Sequence, residues 1–343
     1  MTRRFLFRLF VRLVILALFV AAVVILVLLA YGYRWDRAEN KLESTGIVTI
    51  DGTYRGIQIL IDGQIIARNL PVSISGVREG YHRLEVVKDG YLSWSQNLQV
   101  TSGLVTSVPF VILLPKNVAT TTKSVLSTTK LFKNNPELVA ASSSELLFKD
   151  GSSYAYVDIL TSKKTQLLFP KNVEGAVFDL TSQKGYGFSD GFLKYLAMDL
   201  KTKSISVQKE EPFPYSRDGL SFVQFSKNFG EFLFLKGGEI TSIRTDMSQP
   251  PHLFTRLAET VNRLSWYYDT KHFVLQVAQK LEFCDESFTN CYILRSLADH
   301  DSFAVTREGI MIYDSKAQRV LFLPLFSGES AFLSYIFSEK VSL

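Results

Sequence analysis

The 343-residue chain contains only two cysteines and four histidines. Such numbers exclude a disulfide-dense scaffold and leave too few ligands for a paired-cysteine zinc module. H-E-x-x-H, G-x-S-x-G and glycine-rich phosphate loops are all missing. The usual motifs for metal-assisted hydrolysis, serine attack and nucleotide binding are therefore absent, and no catalytic residue and no cofactor is expected. No D-x-D-x-D-G run supplies the clustered oxygens of a calcium loop, so no metal is expected either. Charged residues make up 21% against 47% hydrophobic, which excludes a disordered chain. Acidic residues are missing altogether before Asp36.

What stands there instead is an apolar run from Leu13 to Tyr31. At 1.5 Å per residue its 19 residues span the roughly 30 Å hydrocarbon core of a bilayer. Residues 13–33 read as a transmembrane helix and residues 1–12 as a basic cytoplasmic tail carrying Arg3, Arg4, Arg8 and Arg12. The excess of arginine on that side places the amino terminus in the cytoplasm and the rest outside. Tyr31, Tyr33 and Trp35 suit the outer interfacial belt. Ala30-Tyr31-Gly32 offers small residues at the positions a signal peptidase inspects, but the run is longer than a cleaved signal's 7–15 apolar residues, so a retained anchor is expected. No cysteine stands at the end of the run, which excludes lipoprotein processing. Removing the four arginines from the net charge of +5 leaves +1 for the remainder, so the basic balance reports topology, and no nucleic-acid partner is expected.

Residues 46–115 break into short Val-, Ile- and Leu-rich pieces punctuated by Asp-Gly or Gly, which predicts a small all-β unit. Within it, Tyr54–Gly63 resembles the signature of PEGA domains, in which Pro-Glu-Gly-Ala leads through a short strand to an Asp-Gly turn. Gly56 matches the third motif position and Asp62-Gly63 the turn, while Tyr54, Arg55 and Ile57 replace the other three motif residues. Pro71, Gly80-Tyr81, Gly90-Tyr91 and Gly103 follow in the family's order. The resemblance covers about a fifth of the chain. It implies an extracytoplasmic β-sandwich that binds surface polymers or proteins, with no residue assigned to catalysis. From the residues themselves, Asp62 and Asp89 read as turn formers ahead of glycine. Tyr81, Tyr91 and Trp94 are candidate contact aromatics for a partner such as a polysaccharide.

Residues 116–135 turn to Thr, Ser, Lys and Asn and read as a linker or an edge strand. Ser127 and Lys130 have the serine–lysine spacing of penicillin-binding enzymes without the accompanying motifs, a chance pairing. Residues 136–343 then repeat one unit, as in Glu145–Phe169, Gly185–Val207, Glu231–Phe254, His272–Leu294 and Phe303–Leu323. Four of these have a glycine turn (Gly151, Gly191, Gly238, Gly309), and each has a second strand ending in Asp (158, 199, 246, 285, 314). The Asp spacings of 41, 47, 39 and 29 bracket the period of four-stranded blades. With a further strand ahead of each hairpin, this predicts a β-propeller of about five blades, resembling WD-type propellers in hairpin grammar alone; a two-sheet sandwich stack is the alternative. The linker or Ser330–Leu343 is expected to supply the strand that closes the ring. The repeated aspartates read as turn formers.

Cys284 and Cys291 fall on the two arms of one hairpin and are a disulfide candidate, since an exported chain permits oxidation. Asp299-His300-Asp301 is the one histidine between carboxylates, in a polar loop. The fold class expected is an all-β ectodomain, a small sandwich plus a propeller, behind one transmembrane helix. The function expected is a membrane-anchored envelope protein that binds protein or cell-surface polysaccharide without chemistry; that reading also expects exposed aromatics on a propeller face and no buried charged cluster. The rival is an envelope hydrolase for glycans or peptides, with convergent carboxylates or a Ser/His pair in the propeller channel. A sensor signalling through a membrane partner is a third.

Overall fold

The computed structural model describes residues 2–325, except 37–39, 53, 109–110, 118, 126–131, 133–134, 162, 190, 214–219, 226–229, 245, 247 and 268–270. Ser127, Lys130 and Ser330–Leu343 therefore lie outside the described residues. The chain divides into two compact units, Met1–Lys116 and Asn117–Leu343.

The first unit opens with α1 (Thr2–Ala30), which contains one apolar span, Phe10–Ala30, with its side chains unburied. Gly32 ends it at φ +83°, a left-handed turn that a side chain resists. Eight strands follow: β1 (Tyr33–Asp36), β2 (Lys41–Ile50), β3 (Arg55–Ile61), β4 (Gln64–Asn69), β5 (Val72–Arg78), β6 (Gly80–Val87), β7 (Trp94–Val100) and β8 (Val105–Val108). They make two four-stranded sheets. One runs β1-β2-β5 with β8 parallel to β2, and the other runs β4-β3-β6-β7. Alternation decides what lies between them: Val48 and Ile50 of β2, Ile57 and Ile59 of β3, Leu84 and Val86 of β6 and Trp94 and Leu98 of β7 are all buried in one core.

Among the described residues, the second unit contains five antiparallel four-stranded sheets. The first is β10 (Glu137–Ala141), β11 (Glu145–Asp150), β12 (Ser153–Asp158) and β13 (Lys164–Leu167); the second is β14 (Glu174–Asp179), β15 (Lys184–Ser189), β16 (Phe192–Asp199) and β17 (Ser204–Pro212). The third is β18 (Leu220–Phe225), β19 (Glu231–Lys236), β20 (Glu239–Arg244) and β21 (His252–Arg256), and the fourth is β22 (Val261–Trp266), β23 (His272–Val277), β24 (Lys280–Asp285) and β25 (Cys291–Ser296). The fifth is β26 (Ser302–Val305), β27 (Gly309–Asp314), β28 (Arg319–Pro324) and, on its outer edge, β9 (Thr121–Val125).

The leading strands touch in sequence, β10 to β14, β14 to β18, β18 to β22, β22 to β26 and β26 back to β10. Five blades thus stand around a ring, with apolar cores between neighbours. Leu138, Phe148 and Val157 of the first blade pack on Met311, Val320 and Phe322 of the fifth, and Leu233 and Leu235 of the third on Leu264, Phe273 and Leu275 of the fourth. In the stretch read as a linker or an edge strand, Thr122 and Ser124 pair with Leu321 and Val320, so β9 is an edge strand that covers an edge which would otherwise stand open.

The repeated aspartates behave as turn formers. Asp158, Asp199 and Asp314 accept backbone N–H bonds from Leu160 (2.9 Å), Lys201 (2.8 Å) and Ala317 (2.9 Å), and Asp246 and Asp285 do the same for Ser248 and Thr289. Gly151, Gly191 and Gly238 have positive φ at their hairpin turns. Gly309 differs: its φ is ordinary, but a Cβ there would meet Leu323 O at 2.3 Å, so close approach of β28 demands the glycine.

Candidate functional site

The centre of the ring is where a propeller gathers residues from several blades. Arg263, on the leading strand of the fourth blade, is buried and extends to the first blade, which is not its neighbour in the ring. Its Nη1 donates to Leu138 O (2.6 Å) on β10 and to Phe303 O (3.0 Å) on β26, and its Nη2 pairs with the Glu137 carboxylate. Burial lowers the guanidinium to about 10, still charged at neutral pH. The Ser302 hydroxyl accepts from Leu138 N–H (2.8 Å) at the same seam. One guanidinium therefore ties the fourth, fifth and first blades together through main-chain carbonyls. Its planar set of donors suits several fixed acceptors better than an ammonium would.

Arg263 is a single buried charge whose carboxylate partner is half-exposed, and in the sequence it was legible only as one more strand residue. The Arg263–Glu137 pair differs from the carboxylate pair or Ser/His pair that hydrolysis needs. The expected aromatic face is also missing: among the described residues, the exposed large apolar side chains of this unit are Leu160, Leu168, Phe192, Leu253 and Ile293, with a single aromatic ring.

A cavity of about 480 Å³ is lined by Asn262, Gln276, Gln279, Asp299 and His300, among others. The Asp-His-Asp triplet is divided here. Asp301 accepts from Ala298 N–H (2.8 Å), Ser315 N–H (2.9 Å) and the Ser315 hydroxyl (3.0 Å), holding the loop, and Asp299 accepts from Gln279 Nε2 (3.1 Å). His300 is exposed at φ +69°. The triplet does not converge on one point.

Cys284 and Cys291 are directly opposed in the β24–β25 ladder and are bonded, with Cα atoms 4.1 Å apart. Glu282 lies beside them, but sulfurs joined to each other are not thiolate ligands.

In the first unit, Gly56, Gly63 and Gly90 all have positive φ, as does Asp62 at +50°. Asp62 is more than a turn residue. Its Oδ1 accepts from Arg83 N–H (2.9 Å) and its Oδ2 lies 2.6 Å from His82 Nδ1, while His82 Nε2 lies 2.7 Å from Arg78 O. The β3–β4 turn is thereby latched to β6. The His82 contact first, and the Arg83 N–H next, hold the Asp62 carboxyl below its usual range.

The three candidate contact aromatics do not form one platform. Trp94 is 5% exposed in the core, Tyr91 is half-buried edge-on against Tyr54 with ring centres 6.3 Å apart, and Tyr81 is 78% exposed. Tyr81 is the second residue of β6 and Tyr91 lies in the turn past its far end, so about 20 Å of strand separates them. Sequence reasoning missed the joint between α1 and the sheet. Gly32 O accepts both Thr45 N–H (2.8 Å) and the Thr45 hydroxyl (2.6 Å), Gly103 N–H donates to Thr45 O (3.0 Å), and the Ser102 hydroxyl donates to Tyr31 O (2.9 Å). Only glycine fits at residue 32, where a Cβ would meet Thr45 O at 2.2 Å and Gly103 N at 2.6 Å.

Residues 45–112 match the PEGA domain family. No curated protein matches the chain. Among solved structures, the chain is similar to the N-terminal domain of Nup159 (14% identity, 43% of this chain and 39% of that one, TM-score 0.27). It is also similar to a putative TolB from Agrobacterium tumefaciens (8% identity, 56% and 91%, TM-score 0.36) and to TolB from Acinetobacter baumannii (14% identity, 71% and 59%, TM-score 0.34). The ring itself is established by the strand order and the succession of leading strands.

Proposed function

We propose that this chain, with its PEGA domain and propeller-like ring behind an apolar helix, is a single-pass protein of the cell membrane with its amino terminus in the cytoplasm, and that its extracytoplasmic β-domains bind protein or surface-polymer partners as a non-enzymatic scaffold or adhesion element. The observation that carries the binding reading is the centre of the ring, where Arg263 spends its donors on the main chain of two other blades and on Glu137. A group committed to holding the ring closed is poorly placed to turn over a substrate. The joint at Gly32 supports retention of the helix, because the carbonyl at the small-residue position serves the sheet through two bonds from Thr45. A cut after Gly32 would fall directly on that joint.

The test is to incubate the detergent-solubilised chain with purified cell-wall polysaccharide and, separately, with solubilised envelope proteins. Retention on one of these with the polymer length unchanged supports the reading. Stoichiometry-exceeding shortening of a glycan or peptide would replace it with the hydrolase.

A further inference from the structure

We infer that the membrane-facing end of the PEGA module is seated in the headgroup layer of the bilayer that α1 crosses, so that the module is held by lipid as well as by its helix. This rests on the reading of α1 as a membrane span. The span ends at Ala30, and the joint described above brings the β7–β8 turn directly against Tyr31 and Gly32. Around that exit, Tyr31, Trp35, Tyr81, Leu104 and Val105 are each more than half exposed. Tyr81 belongs to this end because it pairs with Gln99, just before the turn.

Register shows what kind of surface this is. Trp35 stands opposite Leu42, and Val105 opposite Ile47. Leu42 and Ile47 are five residues apart on β2, so alternation puts the two pairs on opposite faces of the sheet. A protein partner seated on one face would leave the other apolar pair in water. A lipid interface surrounds the helix exit and meets both. Its chemistry also fits, since amphipathic Trp and Tyr favour the headgroup level. The depth is compatible: the headgroup layer is about 5–8 Å per leaflet, and Trp35 lies at most about 10 Å of strand beyond Gly32. The occupant is thus the outer boundary of the same bilayer.

Tryptophan fluorescence of the full chain tests this, because Trp94 and Trp266 are buried and Trp35 is exposed. The chain is reconstituted in phosphatidylcholine vesicles with or without dibrominated acyl chains. In a Trp35→Phe background, Leu104→Trp should be quenched by bromolipid and shielded from aqueous acrylamide. Asp89→Trp, in the exposed turn at the far end of β6, should behave oppositely. The difference between the native chain and Trp35→Phe reads Trp35 with no added residue, and it should also show bromolipid quenching. Vesicle-bound chain with Leu104→Trp unquenched overturns the proposal; if that variant loses its fold, an unquenched Trp35 does so. Chain that fails to float with vesicles overturns the membrane span itself and this seat with it.

Discussion

Arg263→Ala separates two accounts of the ring's centre. Removing the guanidinium takes a charged donor from Leu138 O and Phe303 O and leaves Glu137 without its partner. Hydrogen bonds from charged donors contribute about 1.5–3 kcal/mol each, and removing one partner of a buried pair costs about 3–5 kcal/mol. The Glu137 side chain is 45% exposed and can rehydrate, which places the expected loss near the lower end, about 3 kcal/mol. For a unit of this size that corresponds to a fall in Tm of about 6–12 °C. Glu137→Ala, which leaves both carbonyls bonded, should cost less than about 1 kcal/mol. Scanning calorimetry of the detergent-solubilised chain measures both, and Trp266 fluorescence assigns the ring's transition, since that residue is buried on Arg263's own strand. Equal losses for the two variants would mean that the ion pair, rather than the carbonyl clamp, holds the seam. A shift below about 2 °C for Arg263→Ala would refute the clamp outright.

Other consequences follow from single features. Replacing both Thr121 and Thr122 by Pro, adjacent paired positions of β9 of which one N–H must face β28, should open the outer edge of the fifth blade, and size-exclusion chromatography should show self-association while the PEGA module stays folded. Replacing Cys284 and Cys291 by serine removes a clip on a loop of separation 7, worth about 2 kcal/mol by chain entropy, so the ring should melt about 4–8 °C lower; intact-mass analysis without reductant should find no free thiol in the native chain. Asp62 has a folded-state pKa below its unfolded one, so its contribution is present above the unfolded value near 4 and is lost as pH falls through the folded one. Asp62→Asn keeps a residue that tolerates positive φ but lacks the charge. It should lower stability by less than about 1 kcal/mol at pH 6 and flatten the acid limb below pH 4, which an acid titration followed by circular dichroism would reveal.

The features legible in the sequence were those with a strong local signal. An apolar run of bilayer length, a repeating Gly turn and a strand-ending Asp each arise from residues close in the chain, and they led to the span, the sheets and the Asx turns. β9 was legible only as one of two options, linker or edge strand, because an outer edge strand buries little and the β-branched Thr and Val of Thr121–Val125 are its one local hint. Arg263 was invisible because its partners are 40 and 125 residues away. Trp94 looked like a contact residue because an indole suits either face of a strand, and only the packing of β7 on the opposite sheet decides it. Gly32 and Thr45 gave no motif, since their bond joins a helix end to a sheet formed later in the chain. His82 likewise carried no sign that it would latch the turn at Asp62.

The central claim is a retained helix with both β-units outside the membrane. The most direct test is intact mass and external-protease accessibility of the full chain in right-side-out cells stripped of any outer layer. The account expects an uncut amino terminus, with the PEGA and ring segments digested from outside and the amino-terminal tail protected. A mature chain beginning at Tyr33, or β-units that resist protease until the membrane is lysed, would contradict it.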